Sequence, residues 1–184
     1  MRALVLLLGL AVASAVALVH GNTWSSPFHF DDFHSIVDNA WLRSLRHVPT
    51  YFTDVAVFSP LVENRAYRSI LLTGFALSHA LGGGAPWGYH LLTLLLHGAG
   101  GVVLGALLLR LLRAAEVPER RARVLALLGA LLFVVHPLGT EAVTYVSARS
   151  SLQAAVLGWA AVLCYVVARE DRRARWWWLG LLLL

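Results

Sequence analysis

Apolar residues in this chain come in long blocks, separated by shorter polar stretches. The period-two alternation of half-buried strands or of a membrane β-barrel is absent. The blocks occupy residues 3–19, 69–81, 89–109, 124–135 and 150–168, and a further one begins at 176. Runs approaching about 20 apolar residues are long enough to cross a bilayer as helices, where every backbone group must be satisfied within the segment. The pattern predicts an all-α integral membrane protein with about four complete spans.

Two blocks are short. Residues 69–81 give only about 13 apolar positions before Gly82-Gly83-Gly84 and Pro86, so they predict a surface or re-entrant helix. Residues 124–135 stop at His136-Pro137 after roughly 18 Å of helix, less than a hydrocarbon core. The arginines arbitrate. All 15 basic residues are arginine, and Arg110, Arg113, Arg120, Arg121 and Arg123 form one cluster, Arg169, Arg172, Arg173 and Arg175 another. Positive charge collects on the cytoplasmic side, so segments 110–123 and 169–175 are predicted inside. An even number of crossings then separates them: up through 124–135, a turn over 136–149, down through 150–168. The same logic puts residues 20–88 in a long outer loop, with helices expected over 32–45, 49–58 and 69–81. The first block, preceded by Arg2, reads either as a signal peptide or as a retained span 1. The terminal Trp176-Trp177-Trp178 and leucines read as the start of span 5, and the whole as the N-terminal part of a larger membrane protein.

Composition agrees. The 184 residues are 59% hydrophobic, well above a soluble domain. The net charge of +5 follows from the arginine clusters and reads as topology, so nucleic acid is not an expected partner. The single cysteine, Cys164, excludes a disulfide within one copy.

Candidate chemistry collects on the predicted outer side. Asp31-Asp32, in Phe28-His29-Phe30-Asp31-Asp32-Phe33, reads either as a helix cap or as a general base that takes a proton from a hydroxyl. His29 and His34 flank the pair, so a divalent metal is possible, with no diagnostic spacing. Glu141, Tyr145 and Arg149 stand at i, i+4 and i+8 of an expected helix. A guanidinium so near the membrane is suited to a lipid-borne phosphate, and an intrahelical network is the alternative. Arg65 and Arg68 could hold lipid headgroups or an anionic leaving group. His90 and His97 share a face of one span, where bonding to a backbone carbonyl is favoured over ligation. Gly101 and Gly105 form a small-residue packing pattern.

Taken in order, these pieces resemble a known family. Phe28-His29-Phe30-Asp31-Asp32 with Ile36-Val37-Asp38-Asn39, then Tyr67-Arg68-Ser69, Gly88-Tyr89-His90 through His97, His136-Pro137-Leu138-Gly139-Thr140-Glu141 and Ser147-Ala148-Arg149 resemble the GT-C glycosyltransferases. The likeness is closest to the transmembrane and tetratricopeptide-repeat (TMTC) protein O-mannosyltransferases and their bacterial relatives. It implies a GT-C-type helical bundle of which this is the N-terminal part. It also implies transfer of a sugar, mannose by preference, from a polyprenyl phosphate to a protein Ser/Thr hydroxyl at the outer membrane face. In that scheme Asp31 or Asp32 is the base, Glu141 orients the reactants, and Arg149, with Arg65 or Arg68, meets the leaving phosphate. No cofactor is certain beyond a possible divalent metal, and the partners are membrane lipid, the lipid-linked donor and an acceptor protein. Ser69, Thr93 and Ser151 depart from the family pattern, which expects a proline, an asparagine and an acid there. A different sugar or a lipid or glycan acceptor, and a non-catalytic subunit or transporter fragment using the acids for cations, are the rival readings.

Overall fold

The computed structural model describes residues 2–171 and 174–183. Arg172 and Arg173, half of the second predicted arginine cluster, lie outside them. Among the described residues the chain is helical throughout, without strands. The α-helices are α1 (Arg2–His20), α2 (Ser69–Gly82), α3 (Pro86–Ala114), α4 (Glu119–Val135), α5 (Thr140–Thr144), α6 (Arg149–Asp171) and α7 (Ala174–Leu183). Three stretches are long and apolar enough to cross a membrane: Leu6–Ser25, Pro86–Ala114 and Val146–Glu170. Glu119–Val135 followed by Pro137–Thr144 qualifies as a broken fourth. The protein is therefore an all-α, multi-pass membrane protein.

The helices outrun the apolar blocks because amphipathic ends extend them. α3 continues through Arg110 and Arg113, and α4 begins five residues ahead of its apolar run. The break between α4 and α5 falls at Pro137, which lacks an amide hydrogen and drives the preceding His136 to an extended backbone. The expected single helix through Glu141, Tyr145 and Arg149 is corrected here. α5 ends at Thr144, Tyr145 is extended, and a 3₁₀ turn over Val146–Ala148 precedes α6. The helices expected over 32–45 and 49–58 are likewise replaced. A wide turn over Phe33–Val37, closed by Asp38 N–H to Phe33 O at 2.8 Å, leads into 3₁₀ turns at Ala40–Arg43, Leu45–Phe52 and Val55–Val57. Asn39, Ser44 and Asp54 each cap the turn that follows, accepting from the amides of Trp41, Arg46 and Ala56. Such residues offer the backbone side-chain partners in place of helical ones, which cuts this segment into short turns.

The chain forms two compact units. Of the described residues, one comprises 2–19, 96–139, 152–171 and 174–183, the other 20–95 and 140–151. In the first, glycines let helices approach. A Cβ on Gly101 would stand 2.7 Å from a Val134 methyl and 3.1 Å from one of Val12. A Cβ on Gly105 would meet Leu8 at 3.0 Å and Ala130 at 3.2 Å. Ala122, Ala126, Ala130 and Val134 form the buried stripe of α4, one residue per turn. This is the small-residue packing expected of membrane helices, where close contact takes over from hydrophobic burial. Leu6, Leu7, Leu10 and Leu18 of α1 are exposed, as lipid-facing residues should be.

The second unit packs α2 onto the 3₁₀ turns. Leu71, Leu72, Phe75 and Ala76 are buried against Leu42, Tyr51 and Phe58. Ser69 donates its hydroxyl to Tyr51 O at 2.6 Å and so fastens the start of α2 to the loop. α2 ends at Gly83 in the left-handed conformation (φ 60°), and Gly88 lies so close that a Cβ there would be 2.8 Å from Ser78 O.

Candidate active site

The two adjacent aspartates point to different worlds. Asp32 is fully buried. Its Oδ1 accepts from Ser147 N at 2.8 Å and Ser147 Oγ at 2.6 Å, and its Oδ2 accepts from His29 N at 3.1 Å. It does not cap the turn that follows it. It ties the acidic loop to the turn that begins α6. Ser35 reinforces this link, donating to Asp31 O at 2.6 Å and standing 3.1 Å from Ser147 Oγ. Asn39, also buried, donates to Ser35 O, Val57 O and Phe58 O, at 2.9–3.2 Å.

Asp31 is the opposite case, with 68% of its side chain exposed. Its carboxylate lies 3.6 Å from His34 Nε2, and its amide donates to Tyr145 Oη at 3.1 Å. The Tyr145 hydroxyl thus accepts from the Asp31 amide and lies beside the Asp31 carboxylate. Burial raises the phenol above its ordinary pKa, so the proton stays on at neutral pH.

Asp31 opens onto a cavity of about 520 Å³. Its walls include His34, Phe58, Glu63, Arg65, Arg68, Glu141, Tyr145 and Ser151, supplied by the acidic loop, the approach to α2, α5 and the start of α6. Three carboxylates and two guanidiniums thus share one open space. Arg68 is held over the Phe58 ring at 5.0 Å, and Phe58 stacks edge-on with His34. Four of the six residues expected from the sequence, Asp31, Glu141, Arg65 and Arg68, meet here.

The other two are buried. Arg149, expected to receive a phosphate, is 1% exposed and does not line the cavity. Its Nε donates to Thr93 Oγ1 at 2.8 Å, one Nη to Ser78 Oγ at 3.2 Å and the other to Tyr89 O at 2.6 Å. The guanidinium also lies over the Phe75 ring at 5.1 Å. Each of its three nitrogens donates inside the fold, so it holds α2, α3 and the start of α6 together. Thr93 accepts one of these bonds in place of the expected asparagine. His90 and His97 bond backbone carbonyls, Ser26 O at 2.9 Å and Val134 O at 3.1 Å. No group of three or more His, Cys, Asp or Glu among the described residues could hold a metal ion. Sequence reasoning missed Ser147, whose hydroxyl and amide carry the Asp32 contact, because nothing local marks a serine as the partner of a residue so far away.

The fold and this cavity define a class: a multi-pass, all-helical membrane protein with an acidic and basic cleft built by the loops between its helices. No family model and no solved structure matches the chain. Curated proteins do. The chain is 32% identical to protein O-mannosyl-transferase TMTC3 of Mus musculus over 169 residues, 90% of its own length and 17% of the relative's. It is 33% identical to Tmtc2 of Drosophila melanogaster, covering 89% of itself and 16% of that protein, and 31% identical to Drosophila Tmtc1, covering 88% and 18%. The chain is TMTC-like over nearly all its length, and it spans about a fifth or less of the relatives it matches.

Proposed function

We propose that this chain supplies the acid-base centre of a protein O-mannosyltransferase that draws its sugar from a polyprenyl phosphate at the outer membrane face. The observation that carries the reading is the separation of the aspartate pair: Asp31 is open to a cavity that holds Arg65, Arg68 and Glu141, while Asp32 is consumed by hydrogen bonds. Asp31 takes the proton from a Ser or Thr hydroxyl of the acceptor. The hydroxyl oxygen bonds to the anomeric carbon, the bond from that carbon to the lipid phosphate breaks, and the phosphate departs carrying the electron pair. Arg65 and Arg68 meet the charge that develops on it. Tyr145 keeps its proton and hydrogen-bonds within the cavity through its hydroxyl, and Glu141 orients the acceptor. The similar curated proteins are named protein O-mannosyl-transferases, which supports mannose as the sugar and a protein as the acceptor.

The test uses the full-length protein with mannosyl and other polyprenyl-phosphate sugars. Arg65→Ala and Arg68→Ala should each raise KM for the donor about tenfold, the scale of one charge-assisted hydrogen bond. An unchanged KM in both variants would assign the phosphate to other groups. Transfer of a different sugar at equal kcat/KM would remove mannose from the reading.

A further inference from the structure

A second built cavity lies in the other compact unit and belongs to neither the aspartates nor their partners. It is a groove of about 380 Å³ between α1, α3 and α4. Its walls are apolar, from Leu8, Leu109 and Leu127 among others, and its lining includes Arg110, Arg113 and Arg123. The arginines are held in place. Glu119 accepts from Arg113 Nε and Nη2, at 2.9 and 2.6 Å, and from Arg123 Nε at 2.7 Å, while Arg110 pairs with Glu170. Three guanidiniums therefore face two carboxylates, and one positive charge stands unbalanced. Arg120 and Arg121, both exposed, add two positive charges on the same turn against one negative charge from the exposed Glu116 of the α3–α4 connection.

We infer that this groove is a binding site for an anionic phospholipid, with one acyl chain along the leucines and the headgroup phosphate on Arg113 and Arg123. Charge and shape both favour this occupant. Two of the groove's helices, α1 and α3, belong to stretches long and apolar enough to cross a membrane, and α4 does so as a broken pair with Pro137–Thr144, so the apolar length of the groove faces lipid rather than water in this reading. A planar guanidinium is suited to phosphate, and a basic pocket between membrane helices is the arrangement that selects anionic headgroups. The salt bridges to Glu119 take the Nε–Nη2 edge of Arg113 and Nε of Arg123, which leaves Nη1 of Arg113 and both Nη groups of Arg123 for the phosphate. They converge two guanidiniums on one spot while leaving each partly exposed, 41% for Arg113 and 52% for Arg123.

The experiment is native mass spectrometry of the full chain, released from detergent with phosphatidylglycerol or phosphatidylcholine. The expected result is retention of phosphatidylglycerol over phosphatidylcholine by about tenfold or more, given the contribution of each arginine near a headgroup. Arg113→Ala with Arg123→Ala removes that preference, while Arg43→Ala, an exposed arginine of the polar loop, preserves it. Ala106→Phe, which fills the apolar part of the groove and leaves Arg113 and Arg123 unchanged in the sequence, lowers retention of phosphatidylglycerol as well. Circular dichroism establishes that each variant keeps its helix content. Equal retention of the two lipids by the parent chain overturns the inference, as does an equal loss of preference in Arg43→Ala. Should the double arginine variant lose its helices, unchanged binding in Ala106→Phe overturns it alone.

Discussion

Phe30 has a left-handed backbone (φ 46°), a conformation costly for any residue with a Cβ, and its ring is 83% exposed. It precedes the two aspartates and lies edge-on to Tyr145 at 6.1 Å. Just past this strained residue the chain sends one carboxylate outward and the next inward. The inner one has a checkable cost. In Asp32→Asn the amide oxygen still accepts from Ser147, but the amide nitrogen turns a second donor toward His29 N–H. Losing that bond in a buried site should cost about 1–3 kcal/mol, read as a lowered melting temperature in detergent. Ser147→Ala should cost a similar amount, and an unchanged melting temperature in both would contradict the link. Arg149 gives a different prediction. It is a buried guanidinium bonded to neutral oxygens, so Arg149→Met, which fills the same space without a charge, should be less destabilising than Arg149→Ala. The sequence held the list of charged candidates but could not divide them. Exposure and partners depend on Ser147 and Tyr145, more than a hundred residues away along the chain.

At the scale of elements, hydropathy located the helices well and their ends poorly. Apolar runs mark where lipid must be met, while charged ends such as Glu119 to Arg123 can be helical without being apolar. The loop between α1 and α2 was least legible. Its helical pattern is broken by Asn39, Ser44 and Asp54, each of which caps a fresh turn. Glycines carry the tightest contacts, and these are testable. A Cβ at Gly88 would stand 2.8 Å from Ser78 O and 2.9 Å from Gly82 Cα, both backbone atoms that cannot swing aside. Gly88→Ala should therefore destabilise by about 1–3 kcal/mol, the usual cost of overpacking. Gly158, with nothing within 4 Å, is the matched control, and Gly158→Ala should be neutral or stabilising. Equal melting temperatures for the two variants would refute the close approach of α2 and α3.

For the whole molecule, the proposed chemistry requires the aspartate loop on the outer side and the Arg110–Arg123 segment inside. Reporter positions must be exposed, as Asp38 and Arg120 are. In a background with Cys164→Ala, Asp38→Cys should react with an impermeant thiol reagent from outside and Arg120→Cys should not. The reverse labelling would place the aspartates away from any outer-face donor. The central claim is narrower, that one of two adjacent carboxylates does chemistry and the other holds the site. It is tested most directly by measuring kcat for sugar transfer and melting temperature together in Asp31→Asn and Asp32→Asn of the full-length protein. Asp31→Asn should lower kcat by about 10²–10⁴-fold, the range lost with a general base, and leave the melting temperature unchanged. Asp32→Asn should lower the melting temperature. An Asp31→Asn enzyme that transfers sugar at the parent rate would contradict the account.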